Sequence, residues 1–166
     1  METQNLSNKI LFAKLNDNAT IPSKRPEDAG YDIYACIDRD IHILPQQTVK
    51  IPTGIISAFS PNKVVILKER SSVGSKGLEQ RCGVIDSGYR GEWLIPVTNG
   101  TNKRIAITAD PDKYMKELWT VIPAQKAIAQ ALLLDLPVTT SVEVSADEIL
   151  DLSSERGTGG FGSSNK

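Results

Sequence analysis

The sequence predicts an all-β domain, a sandwich or a barrel, and three observations predict it. β-branched and other apolar residues come in many short runs, and Pro45, Pro52, Gly54 and Pro61 stand between them where turn chemistry belongs. No alternation of strands with long helical patterns, of the kind a parallel βαβ sheet needs, runs through the chain. Its 166 residues suffice for one domain with a sizeable core, without metal or disulfide staples.

Taken in order, residues 9–15 are a first strand candidate, followed by polar residues and Pro22. Arg25-Pro26-Glu27-Asp28 is a turn, because the residue before a proline is pushed out of the helical region. In residues 29–35, Tyr31, Ile33 and Ala35 alternate with Asp32 and Tyr34, so a strand here sets Asp32 on the face opposite Tyr31 and Ile33. Further strands are expected at 41–44, 48–52, 54–59, 63–68 and 104–108. Residues 126–134 favour helix by propensity, yet the run is short and lies between Pro123 and Pro137 in a β-rich chain, so a buried strand competes. Ser145-Ala146-Asp147-Glu148 has the spacing of a capping box and starts one helical turn. With no repeat and no linker, the expected division is a β domain over 1–152 and a C-terminal arm over 153–166.

The net charge of −1 excludes a broad electrostatic grip on nucleic acid or an anionic membrane, though not a local basic site for a small anion. No run approaches the length of a membrane span, and the polar start of the chain lacks the apolar core of a signal peptide. Cys36 and Cys82 have no metal-ligand spacing and read as reduced, half-buried thiols of a cytoplasmic protein, or of host cytoplasm if the protein is viral. The single histidine, His42, cannot make a multi-histidine metal site and is expected to point outward from its strand.

Three stretches carry chemistry. Gly83-Val84-Ile85-Asp86-Ser87-Gly88-Tyr89-Arg90-Gly91-Glu92 reads as a strand and a tight turn, with residues 92–97 as the return strand of a hairpin. Asp86 and Tyr89 then face each other across its mouth, a carboxylate base beside a ring for a flat ligand; an ordinary surface hairpin is the alternative. In residues 69–77, Ser71 or Ser72 could cap a short helical turn beside Arg70, which suits phosphate. The tail, Arg156-Gly157-Thr158-Gly159-Gly160-Phe161-Gly162-Ser163-Ser164, contains G-x-G-x-x-G, but no βαβ unit follows it and it lacks the lysine of a P-loop. It reads as a mobile, glycine-rich arm with one arginine and one ring, the arm free to wrap oxygen atoms.

Together and in order, these segments resemble the trimeric deoxyuridine triphosphatases (dUTPases), whose five short motifs all have counterparts. They are Ala29-Gly30-Tyr31-Asp32-Ile33-Tyr34; Arg70-Ser71-Ser72-Val73 with Lys76-Gly77; the stretch from Gly83 to Glu92; Ile128-Ala129-Gln130; and the tail from Arg156 to Ser164. The resemblance implies a jelly-roll β domain with one or two short helical turns, forming a homotrimer whose active sites lie between subunits. It implies hydrolysis of dUTP to dUMP and pyrophosphate with Mg²⁺, which limits uracil incorporation into DNA and supplies dUMP for dTTP synthesis.

By the same resemblance Asp86 orients and deprotonates the water that attacks the α-phosphorus, and Tyr89 packs under the deoxyribose and leaves no room for a 2′-hydroxyl. The hairpin backbone around Val84 to Tyr89 reads the uracil edge, with Gly83, Val84 and Ile85 among the substrate-binding residues. Arg70, Ser71 and Ser72 bind phosphate, and Gln130 with Asp32 holds the metal's waters and neighbouring groups, Asp32 acting indirectly. Arg156 meets the γ-phosphate, Phe161 stacks over uracil, and Gly162, Ser163 and Ser164 close the phosphate wrap. Three departures stand out. Gln80 replaces the asparagine usual before the third motif, Lys126-Ala127 replaces a charged residue and arginine before the fourth, and 99–125 is longer than usual. Some phage members carry a regulatory insert there, which leaves room for a protein partner. The competing readings are a dCTP deaminase of the same fold and a nucleotide-binding protein without catalysis.

Overall fold

The computed structural model describes Leu6, residues 8–81 and residues 83–159. It divides into two compact units, Met1–Leu136 and Pro137–Lys166. The described residues of the first hold twelve strands: β1 (Ile10–Lys14), β2 (Gly30–Ile33), β3 (Ile41–Ile43), β4 (Thr48–Pro52), β5 (Ile55–Phe59), β6 (Lys63–Glu69), β7 (Leu78–Gln80), β8 (Val84–Ile85), β9 (Leu94–Asn99), β10 (Arg104–Thr108), β11 (Trp119–Pro123) and β12 (Ala129–Asp135). The helical turn α1 (Ser71–Gly74) and a 3₁₀ turn (Pro111–Lys113) interrupt them. The strands make small sheets in the orders β2-β12-β6-β8, β4-β9-β7, β11-β10-β3 and β1-β5. All four contribute to one buried cluster built on Ile33, Ile43, Ile51, Leu67, Trp93 and Ile107, so the fold is a β sandwich of the jelly-roll kind.

Of residues 126–134, those from Ala129 onward settle as strand, in β12. Ala129 pairs Ile33 and Ala131 pairs Leu67, and both alanines are fully buried between the two neighbouring strands. A helix would forfeit two ladders of hydrogen bonds for a propensity gain of a few tenths of a kcal/mol per residue, so burial overrides propensity. The long connection 99–125 contains a strand, β11, that the sequence did not announce. It lies parallel to β10, with Arg104 opposite Trp119 and Thr108 opposite Pro123. Asn99, fully buried, fixes the start of this connection: its Nδ2 donates to the carbonyls of Ile43 (3.0 Å) and Lys103 (2.7 Å), and its Oδ1 accepts from Thr101 N (2.9 Å) and Oγ1 (2.8 Å).

The far end of the connection is tied to β3. Asp40 Oδ2 accepts from Tyr114 Oη (2.7 Å) and from Lys113 Nζ (2.8 Å), and the exposed His42 meets the same tyrosine hydroxyl at 2.5 Å. The Lys113 hydrogen bond, then those of Thr108 and Tyr114, hold the Asp40 carboxyl far below the usual carboxylate range. Because the folded protein binds that proton more weakly than the unfolded chain, the stabilisation is complete above the unfolded pKa of about 3.9 and is lost as pH falls below it. Thermal melts of the wild-type protein and of Asp40→Asn should therefore differ at pH 7, keep that gap down to about pH 4, and converge only as the buffer is taken well below the unfolded carboxylate pKa, to about pH 2 and under. A gap that stays constant through that acid range would mean the carboxylate charge does not stabilise the fold.

In the second unit, α2 (Ala146–Leu150) begins with the expected capping box, Ser145 Oγ accepting from Glu148 N at 3.2 Å and Ser145 N donating to Glu148 Oε2 at 2.8 Å. No described helix is long and apolar enough to cross a membrane.

Candidate active site

Two clusters carry the candidate residues. The first is built by the register of three strands. In β12, Gln130 stands directly opposite Asp32 of β2 on one side and Lys68 of β6 on the other. One step beyond β6, Arg70 forms an ion pair with Asp32 through its Nη1, and Gln130 Nε2 donates to the carbonyl of Glu69 at 2.8 Å. Gly30 leaves room for this amide: a Cβ on it would sit 2.7 Å from Gln130 Oε1 and would push the side chain aside. So Asp32, Arg70 and Gln130, dispersed in the sequence, are brought together.

Ser71 and Ser72 follow Arg70 as the exposed first residues of α1. The expectation that one of these serines caps the turn is corrected: the N-cap is Arg70, in extended conformation, with no side-chain capping bond. Both hydroxyls are thereby left to the surface, beside the first N–H groups of the turn, which a helix cannot satisfy internally. A groove of about 530 Å³ runs past Glu69, Arg70, Ser71, Ser75 and Gln130. Another of about 650 Å³, lined by Lys24, Arg25, Asp28, Asp32, Arg70 and Gln130, adds two cations from the 23–28 turn that the sequence reading gave no role. Arg25 there is engaged by Asp28, its Nε at 2.9 Å and Nη2 at 3.1 Å from the carboxylate.

The second cluster corrects the hairpin expectation. β8 and β9 do not pair: β8 joins β6, with Val65 opposite Ile85, whereas β9 joins β4 and β7 in another sheet. The chain between them is a loop whose first turn closes by Tyr89 N donating to Asp86 O (3.1 Å). Arg90 Nη1 crosses the turn to the carbonyls of Ser87 (2.7 Å) and Tyr89 (3.0 Å). Asp86 and Tyr89 are both exposed, and with Val84, Ile85, Glu92 and Pro96 they line a cavity of about 230 Å³. Among the described residues β8 is an edge strand, so its backbone groups on the side away from β6 face no other described strand. Gly83 anchors its start by accepting from Leu67 N at 2.8 Å. Gln80 lies half-buried at the end of β7, opposite Val97 of β9.

Among the described residues, the lining of the Asp86 cavity and that of the Arg70 grooves have no member in common. In the second unit Arg156 closes a turn on itself, Nε donating to Gly159 O at 2.7 Å. Phe161, Gly162, Ser163 and Ser164 lie outside the described residues. Among the described residues there is no group of three or more His, Cys, Asp or Glu side chains that could hold a metal ion.

A family model for dUTPase matches residues 16–111. The deoxyuridine 5'-triphosphate nucleotidohydrolase of Legionella pneumophila (strain Paris) is 35% identical over 163 residues, 95% of each chain. A dUTPase variant of Staphylococcus bacteriophage 80alpha, solved with dUpNHpp, superposes with a TM-score of 0.76 at 27% identity, covering 95% of this chain and 98% of its own. A dUTPase variant from phage phi11 of S. aureus, for which the coordination of a structural Mg(II) ion is described, shares the fold with a TM-score of 0.69 at 22% identity, covering 85% of this chain and 99% of its own. On the match of the family model and the identity to a relative over nearly the whole length, the chain belongs to the dUTPase family.

Proposed function

We propose that the protein is a dUTP diphosphatase that hydrolyses dUTP to dUMP and pyrophosphate, and that Asp86 is its base. The observation that carries the reading is the loop at the end of β8. One internally braced turn sets a carboxylate and an aromatic ring around a single small cavity, beside the open backbone edge of a strand. Asp86 is exposed on that turn, where its carboxylate can orient a water and take its proton as the bond to the α-phosphorus forms. The edge of Val84 and Ile85 offers main-chain donors and acceptors fit to read one face of a planar base.

The triphosphate falls to the other cluster. Arg70 supplies a guanidinium and Ser71 and Ser72 supply hydroxyls, beside the first N–H groups of α1, which the turn leaves without internal partners. Gln130 is oriented by Glu69 O and lies beside Asp32. The donor set suits a magnesium ion held chiefly by phosphate oxygens and water, with Asp32 contributing through those waters, since Asp32 is engaged by Arg70 and the described residues hold no dense carboxylate cluster. When bound, the ion neutralises charge that develops on the phosphates. On the resemblance of the tail to the family's fifth motif we also assign Arg156, Phe161, Gly162, Ser163 and Ser164 to nucleotide binding.

Because the base loop and the phosphate cluster line separate cavities in one chain, a site shared between copies is the economical arrangement, and we assign the protein a homotrimer. The second unit agrees with a need for partners: Val138, Val142, Ile149, Leu150 and Leu152 are all more than half exposed. Sedimentation that returns a monomer under assay conditions would overturn this assignment.

Incubation with dUTP and with dCTP, assayed for pyrophosphate and for ammonia, tests the function. Pyrophosphate from dUTP supports it; ammonia from dCTP would make the protein a deaminase, and binding without either product a nucleotide-binding protein. Tyr89→Ala should open the space where a 2′-hydroxyl would sit, so the ratio of kcat/KM for dUTP over UTP should fall. If both values drop by the same factor, the ring supports the loop and does not select the sugar.

A further inference from the structure

Glu92 stands in the loop that carries Asp86 and Tyr89, yet nothing in the proposed chemistry uses it. Its side chain turns toward the body of the fold. Oε1 accepts the backbone N–H of Gly54 at 2.7 Å and that of Thr53 at 3.1 Å. Those two amides belong to the connection between β4 and β5, which is itself firmly seated. Gly54 takes the left-handed conformation (φ +65°), and a Cβ on it would lie 2.8 Å from Ala19 Cβ and 3.0 Å from Cys36 Sγ. The next residue is stitched to the same place, with Thr53 Oγ1 donating to Trp93 O (2.6 Å) and Trp93 N to Ile55 O (3.0 Å).

The main-chain carbonyl of Glu92 does something different: it accepts the Tyr89 hydroxyl at 3.1 Å. The ring lies so close over Gly91 that a Cβ there would meet the tyrosine hydroxyl oxygen at 2.3 Å. One residue therefore grips the core with its carboxylate and the far end of the Tyr89 ring with its backbone. Arg90 braces the turn through Ser57 O, Ser87 O and Tyr89 O, none of which touches the ring hydroxyl. Glu92 lines the same cavity as Asp86 and Tyr89.

From this geometry we infer that Glu92 is a positioning residue for sugar discrimination: it fixes the height of the Tyr89 ring, and so decides whether a ribonucleotide is refused. The inference rests on the dUTP diphosphatase reading. A ring excludes a 2′-hydroxyl only if it cannot retreat, and a loop that gives by about an ångström admits the extra oxygen. Loss of the clamp should therefore act on the choice between sugars more than on turnover of the correct substrate.

The test compares Glu92→Ala, Glu92→Gln and Tyr89→Phe in the full-length protein, with dUTP and UTP as substrates. In Glu92→Ala the ratio of kcat/KM for dUTP over UTP should fall roughly 10- to 100-fold, the scale on which an ångström of misplacement acts. Glu92→Gln should keep the ratio, because its amide oxygen still accepts both N–H groups. Tyr89→Phe removes the hydroxyl that Glu92 O receives, so adding it to Glu92→Ala should cost no further selectivity. An unchanged ratio in Glu92→Ala, an equal loss in Glu92→Gln, or additive losses in the double variant would each overturn the inference. If Glu92→Ala does not fold, Glu92→Asp, whose carboxylate falls one methylene short, serves in its place. Trypsin cleavage after Arg90 provides an arm independent of catalysis. Nicking in Glu92→Ala but not in Glu92→Gln or wild type supports the clamp, and equal resistance of all three overturns it. Wild-type protein that releases no pyrophosphate from dUTP would sink the functional reading and the sugar-selecting role with it, while the trypsin arm still decides the clamp.

Discussion

Asp86→Asn should lower kcat for dUTP by roughly 10²–10⁴-fold, the usual contribution of a positioned general base, while a non-hydrolysable dUTP analogue binds almost as before. The amide keeps the shape of the carboxylate and can still hold a water by hydrogen bonding, but it cannot accept the proton that the attacking water must lose. Asp86 is exposed on a turn closed by backbone bonds, so the substitution removes no core contact, and Tm should be unchanged. Single-turnover hydrolysis beside equilibrium binding separates the two effects. A variant that keeps near-normal kcat would transfer the role of base to another group. One that loses binding in proportion to turnover would make Asp86 a ligand and not a base.

Trp93→Ala should cost roughly 3–5 kcal/mol of stability, the range for emptying a large aromatic site in a packed core. Trp93 is fully buried and packs edge-on against Phe12, with ring centroids 5.5 Å apart; Phe12 in turn meets Tyr31 at 6.1 Å. The tryptophan, next to Glu92 in the chain, is thereby linked through Phe12 to the strand that carries Asp32. Its Nε1–H is buried without a hydrogen-bond partner among the described residues. Trp93→Phe keeps most of the apolar surface and deletes that unmatched donor, so it should be much the milder change. Denaturant midpoints measured at one protein concentration check both, since assembly would otherwise shift the comparison. Equal losses in the two variants would show that the indole nitrogen, and not the packed ring, is what the core requires.

Chemistry confined to a few neighbouring residues was legible in the sequence. The β class followed from short apolar runs between prolines and glycines. The capping box at Ser145 and Glu148 formed as its spacing required, because both partners lie within one helical turn. The alternation in residues 29–35 correctly set Asp32 apart from the buried Ile33. The five motifs, in order, carried the resemblance to the family to which the chain belongs.

Which strands pair, by contrast, was decided by the tertiary structure. Val84-Ile85 and residues 94–99 looked like the two arms of one hairpin, yet they lie in different sheets, because β6 and β4 offer each of them a longer apolar partner than they offer one another. Residues 126–134 carried helical propensity, yet from Ala129 on they form the interior strand β12, and only that register sets Gln130 opposite Asp32 and within reach of Glu69 O. Glu92 carried no signal of its clamp, since its partners, the amides of Thr53 and Gly54, are distant in sequence and amides look alike in every residue. The physical reason is common to all three. Local propensities differ by less than about 1 kcal/mol per residue, whereas burying an apolar side chain contributes about 1.5–3 kcal/mol, and which residues meet to bury it is fixed only when the whole chain has folded.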